Sequence, residues 1–231
     1  MNFQALEAVL GYEFQDKKRL EKALTHPSLS RLKAVGEKVF NYERLEFLGD
    51  GVLGLVVAEL LFSHFLDENE GDLAKRHAAL VRGETVTQIA LELGLGQFML
   101  MADGEEQTGG RENASNLENT LEALIGAMYV DGGLEVVKSF ILKNWTPKAI
   151  AMKRPPKDPK TALQEWAQAR KLPIPEYVAI KAEGPAHSPM FTIEVTVKGQ
   201  APVQASGTSK KIAEKKAASL LVELLEEKEN G

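Results

Sequence analysis

The sequence contains no cysteine. That absence excludes disulfide frameworks, thiolate zinc sites, iron–sulfur clusters and cysteine nucleophiles, and it suits a reducing compartment. Long hydrophobic runs are missing too. The longest candidate, Val52–Phe65, falls short of the ~20 residues that span a bilayer and carries Glu59 and His64. The first residues, MNFQALEAVLGYEF, lack the basic stretch followed by an apolar core that marks a signal peptide. No G-x-x-x-x-G-K-[ST] loop is present, so a nucleotide cofactor is not expected. The four histidines, His26, His64, His77 and His187, lack metal-ligand spacing. There are no internal repeats and no low-complexity segment. These absences predict a cytoplasmic protein that does not enter a membrane. At 231 residues it has one or two domains and enough chain to bury a core unaided.

What is present is unevenly charged. The net charge of −5 argues against a nucleic-acid partner at first sight, but residues 1–146 alone carry −9. Residues 160–222 carry +4, before an acidic C-terminal tail. An acidic front and a basic back suggest two tasks on one chain. Between them TPKAIAMKRPPKDPK (Thr146–Lys160) has four prolines and no hydrophobic period, which predicts a semi-flexible linker over residues 147–157. The resulting domains are 1–146 and 158–228.

The first domain reads as all-helical, with helical periodicity near Asn2–Leu10, Lys17–Leu24, Tyr42–Phe65, Glu70–Leu93, Asn116–Val130 and Leu134–Lys143. The second changes period. Thr161–Arg170 suits a helix, and Glu176–Glu183 a strand. In FTIEVTVKG, Phe191, Ile193, Val195 and Val197 alternate with polar residues, as in a half-buried strand. Val203–Gly207 is a third strand and Lys210–Leu225 an amphipathic helix. The fold class is therefore multidomain, all-α followed by α-β-β-β-α.

The Tyr42–Phe65 helix sets Glu43, Glu46 and Asp50 on one stripe, within about 60° of each other at ~100° per residue. Like charges at i,i+3 and i,i+4 repel, and a hard divalent cation would offset that repulsion. Gly49, Gly51 and Gly54 interrupt the same helix, and glycine there permits another backbone to approach. A solvated acidic face with ordinary small-residue packing is the competing explanation. The acidic pattern recurs, however: Asn119 and Glu122 sit at i,i+3 in NLENTLEALIGAMYVDGG. Facing helices could thus offer oxygens from Glu46, Asp50, Asn119 and Glu122 to Mg²⁺. Glu43 lies ~10 Å along the axis from Asp50, too far to share an ion. Glu70 and Asp72 open a helix, where acids also suit the macrodipole.

NYERLEFLGDGVLG (Asn41–Gly54) resembles the signature helix of the ribonuclease III family. EGDLAKRHAALVRGETV and NLENTLEALIGAMYVDGG resemble that family's two other characteristic segments, in the same order. The resemblance implies a homodimeric endonuclease that uses Mg²⁺, with Mn²⁺ able to substitute. It would hydrolyse double-stranded RNA to 5′-phosphate ends with short 3′ overhangs, in the processing of rRNA precursors and other structured RNAs. By motif position, Asp50 and Glu122 correspond to catalytic acids, and Glu46 joins them as a metal ligand. Glu43 and Glu70 match outer acids linked to RNA handling or cleavage. Phe47 matches an aromatic that enters the partner subunit, with simple core packing as its alternative. Asn119 departs from the family, which places a ligating Asp there; an amide oxygen can ligate a cation but brings no charge.

GTSKKIAEKKAASLLVELL puts Lys210 and Lys211 at a helix N-terminus, against the macrodipole, where a bound phosphate would reconcile them. A solvated lysine face is the alternative. The order of elements resembles the double-stranded RNA-binding domain. This implies minor-groove contacts from Gln164 and Gln168, a loop GPAH whose His187 faces RNA, and phosphate contacts from Lys210, Lys211 and Lys215. Such domains read A-form shape and largely ignore sequence. A nuclease fold that binds RNA without cutting it is the second reading, and Asn119 alone favours it.

Overall fold

A computed structural model describes residues 3–30, 40–185 and 189–230. The chain forms two compact units, residues 1–156 and 157–231. The first holds α1 (Phe3–Leu10), α2 (Lys17–Leu24), α3 (Pro27–Ser30), α4 (Glu43–His64), α5 (Glu70–Val81), α6 (Gly83–Glu92), a 3₁₀ turn (Leu95–Phe98), α7 (Asp103–Gln107), α8 (Ala114–Gly132) and α9 (Leu134–Ala151).

Helix α8 is the axis of this unit. Its residues from Leu117 to Met128 are apolar around most of the circumference, and nearly all are buried, as an all-round apolar helix requires. Helix α4 packs along it more extensively than any other element. The helices meet backbone to backbone at two glycines. A Cβ on Gly49 would fall 1.7 Å from the Glu122 carbonyl oxygen, and one on Gly126 would fall 2.2 Å from that of Leu45. Of the three α4 glycines only Gly49 serves close approach. Gly51 faces open space, and Gly54 meets only the His77 ring at 3.8 Å.

Two boundaries differ from the sequence expectation. The segment Glu70–Leu93 is broken at Arg82, whose extended backbone (ψ 150°) separates α5 from α6. The expected linker start at residue 147 is also corrected, because α9 runs through Pro147 to Ala151. An internal proline costs a helix ~3 kcal/mol. Burial of Trp145 and Ala149 offsets it, together with the Trp145 indole N–H donated to the Leu80 carbonyl at 3.0 Å. The buried Arg76 guanidinium then holds the end of α9, donating to the Met152 carbonyl while pairing with Glu68.

The second unit contains α10 (Pro159–Ala169), β1 (Glu176–Glu183), β2 (Met190–Thr196), β3 (Val203–Gly207) and α11 (Lys210–Asn230). The strands form an antiparallel sheet in the order β1-β2-β3, with Ile193 opposite Ala205 and Val195 opposite Val203. The alternation in β2 turns Ile193 and Val195 inward. Val195 and Val197 pack against Leu163 and Ala167 of α10 and Ala217, Ala218 and Leu221 of α11. This is the expected α-β-β-β-α layer. Among the described residues no helix is long and apolar enough to cross a membrane.

Candidate functional site

The packing of α4 on α8 does more than fill the core. By holding Gly49 against the Glu122 backbone, it brings the acidic edges of the two helices together. Glu46 and Asp50 come from α4; Glu118 and Glu122 come from α8. Each of these carboxylates has others of the set among its charged neighbours.

Glu122 is the decisive member. It is only 8% exposed, and among the described residues its carboxylate has no hydrogen-bond or ion-pair partner. Burial, and then the charges of Asp50, Glu118 and Glu46, push its pKa up to about 8. Glu46 is raised by burial and by Glu43, Glu118 and Asp50, and Glu118 by burial and Asp50. A largely buried carboxylate among three more acids favours a cation or a proton beside it. An all-oxygen, anionic donor set suits a hard divalent ion. Among the described residues no three acidic or histidine side chains already form a finished cage. The four carboxylates are a convergence of charge and not a preformed cage.

The other expected residues lie around this centre. Asn119 directs its amide nitrogen to the buried Tyr42 hydroxyl at 3.5 Å. Glu43 is exposed and bonded to the Asn41 amide at 2.6 Å; its charge reaches Glu46, and it is not among the charges acting on Glu122. Glu70 is exposed in the first turn of α5 and is not among the charges acting on Glu46, Glu118 or Glu122. Phe47 is 84% exposed, so it does not pack in the core of its own chain. It begins an apolar stripe along α4 that continues through Leu55 and Phe62, both strongly exposed, with exposed Leu66 just beyond the helix end. Sequence reasoning missed Glu118. Its signal was the i,i+4 spacing to Glu122, overshadowed by the i,i+3 pair of Asn119 and Glu122.

In the second unit Gln164 and Gln168 share an exposed face of α10, next to the face that buries Leu163 and Ala167. Ser209 caps α11 through its hydroxyl, which accepts from the Ile212 N–H at 3.2 Å. Lys210 and Lys211 follow it, exposed and with no ion pair among the described residues. Lys215 is differently placed: its ammonium pairs at 2.7 Å with Asp158, which also caps α10. His187 lies outside the described residues.

Comparison with known proteins identifies the family. Residues 16–149 match the family model described as Ribonuclease-III-like, and residues 159–225 match the double-stranded RNA binding motif. The chain belongs to the ribonuclease III family. It is 51% identical over 219 residues to "Ribonuclease 3" of Wolbachia sp. subsp. Drosophila simulans, covering 95% of this chain and 94% of that one. "Ribonuclease 3" of Anaplasma phagocytophilum is 54% identical over 216 residues, covering 93% and 89%. Among solved structures, a nuclease domain of ribonuclease III from Campylobacter jejuni superposes with a TM-score of 0.57 at 47% identity. That match covers 63% of this chain and 99% of the other, whose description concerns a region involved in dimer formation. A ribonuclease III nuclease region followed by a double-stranded RNA-binding domain makes this chain a double-strand-specific endoribonuclease, of a metal-dependent family.

The division of labour has a direct test. Replacing Lys210 and Lys211 by alanine is expected to weaken duplex binding and flatten the salt dependence of log Kd by roughly 1–2, because each lysine that no longer neutralises a phosphate leaves one counterion unreleased. An unchanged salt slope in a filter-binding titration would remove these lysines from the interface.

Proposed function

We propose that this ribonuclease III cuts duplex RNA at the α4–α8 carboxylates, with Mg²⁺, or Mn²⁺ in its place, held by Glu46, Asp50 and Glu122. Asn119 contributes at most a neutral oxygen. The observation that carries the reading is the buried Glu122 carboxylate, unpartnered among three other acids. When bound there, the ion lowers the pKa of a water and neutralises charge developing on the phosphate. The chain's own residues then have distinct tasks. Glu122 and Glu46, partly desolvated, hold the ion in a setting where charges are poorly screened. Asp50, exposed at the rim, carries its charge nearest the approaching backbone. Glu43 and Glu70, exposed beyond it, act on RNA placement or the cleavage step.

Products with 5′-phosphates and short 3′ overhangs require two cuts on opposite strands, hence two sites. A homodimer through the α4 stripe supplies them, with Phe47 entering the partner subunit. Such a stripe of large exposed apolar side chains is an interface signature. The RNA-binding unit holds the duplex through Gln164, Gln168, Lys210, Lys211 and the GPAH loop with His187. Lys215 joins them if phosphate displaces Asp158. Structured precursors, rRNA precursors among them, are the substrates that such shape-reading suits.

The test is cleavage of a labelled duplex of about 30 base pairs, long enough for the ~16 base pairs such a domain covers, with sedimentation of the same sample. Mg²⁺-dependent cutting by a dimer is expected. Binding without cutting in both Mg²⁺ and Mn²⁺ would favour the second reading, an RNA-binding protein disabled at Asn119.

A further inference from the structure

Asn119 leaves the metal site one negative charge short of the family pattern, and the neighbouring residue on α8 offers that charge back. Glu118 lies at i,i+4 to Glu122, on the same face of the helix. It is half-buried, its charge faces Asp50, and it is one of the charges around both Glu46 and Glu122. Among the described residues it forms no ion pair and no hydrogen bond. The nearby Arg82 pairs instead with Glu84, at 3.3 Å.

Space has been cleared for this carboxylate. Its two oxygens lie against Gly83, where an added Cβ would stand 2.5 Å from each of them. Any side chain at Gly83 would push the carboxylate away. Gly83 opens α6 directly after the unexpected break at Arg82, so the kink and the missing side chain together form the cradle. A groove of about 630 Å³ runs from Arg82 and Thr87 past Ala114 to this carboxylate. Meanwhile the Asn119 amide is turned to Tyr42. The more than nine-tenths buried, unpartnered Glu122 provides the independent sign that a cation belongs among these acids.

We propose that Glu118 is a ligand-bearing residue of this site, supplying the α8 carboxylate that Asn119 does not, so that the divalent ion is held among Glu46, Asp50, Glu118 and Glu122. The inference rests on the metal-site reading above and deepens it. It explains how the family's chemistry persists with an amide at Asn119: the charge has moved one residue along the helix, from one side of the Glu122 line to the other.

The test is Mn²⁺ affinity of the full-length chain without RNA, read by electron paramagnetic resonance or calorimetry. Wild type, Glu118→Gln, Gly83→Ala and the double variant Glu118→Gln/Asn119→Asp are compared. Glu118→Gln is expected to weaken binding roughly tenfold or more, since ligand charge tunes affinity in such sites. Gly83→Ala, which displaces the carboxylate without altering any acid, should weaken it in the same direction. The double variant should recover wild-type affinity to within about threefold, and recovery of that kind also shows that the fold is intact. In cleavage, Glu118→Gln should raise the metal concentration needed for half-maximal rate. A wild type that binds Mn²⁺ while Glu118→Gln and Gly83→Ala bind it equally well overturns the role of Glu118 and leaves the site intact. A wild type that binds no cation overturns the site reading and this inference with it.

Discussion

Asp50→Asn is expected to lower duplex cleavage by at least about 10³-fold while leaving RNA affinity within about threefold, because the lost charge acts on the reacting phosphate and its ion, a contribution of several kcal/mol. The substitution is nearly isosteric at an exposed position of α4, so the fold should be untouched. It also removes one of the charges repelling Glu122, which leaves the metal-free chain no less stable than wild type. RNA affinity resides in the separate C-terminal unit, where the paired glutamines and the unpaired lysines lie. Single-turnover cleavage and a gel shift in EDTA separate the two quantities. Collapse of RNA affinity, or persistence of cutting, would remove Asp50 from the chemistry.

Gly49→Ala should be the most destructive single methyl group in the nuclease unit. Its Cβ would stand 1.7 Å from the Glu122 carbonyl oxygen, 2.6 Å from the carbonyl carbon and 2.9 Å from the Gly126 nitrogen, all backbone atoms that cannot swing aside. Helices α4 and α8 must separate, which opens the core along both and pulls the carboxylates apart. A loss above roughly 3 kcal/mol is expected, at or beyond the upper end for overpacked cores. Gly54→Ala serves as the control. Its Cβ meets only the His77 ring at 3.8 Å, so the helix-propensity gain of up to about 1 kcal/mol should appear. Urea melts of the two variants should shift in opposite directions. Equal midpoints would mean that the α4 and α8 backbones do not touch.

These two glycines mark where the sequence was legible and where it was not. The acidic stripe of α4, the buried character of α8 and the alternation in β2 follow from periodicity, which local chemistry writes directly into the chain. Which of Gly49, Gly51 and Gly54 touches another backbone depends on the angle at which α8 crosses, and no local pattern encodes that. The same holds for Arg82 and Pro147. A continuous apolar period concealed the α5–α6 break, while burial of Trp145 and Ala149 carried α9 through a residue that ordinarily ends a helix. Beyond its spacing to Glu122, nothing in the local sequence marks Glu118, because only the packing of α4 on α8 lets the Asp50 charge act on it. Lys215, promising by its motif, is occupied by Asp158 at 2.7 Å, a partner far away in the sequence.

The central claim is that the α4–α8 acids are a cation site, and thermal melting as a function of pH tests it most directly. Glu122 has a pKa of about 8 in the folded chain, against 4.5 for an unperturbed glutamate. Below pH 4.5 both states hold the proton. Between pH 4.5 and 8 the unfolded chain releases it and the folded chain retains it, so stability falls as pH rises, by up to ~1.4 kcal/mol per unit. Glu46 and Glu118, both raised, act in the same direction. In EDTA, Tm should therefore decline from about pH 6 to about pH 8. With Mg²⁺ the ion replaces the proton, so Tm should rise, and rise more at the higher of these two pH values than at the lower. A Tm indifferent to Mg²⁺ at both would contradict the account.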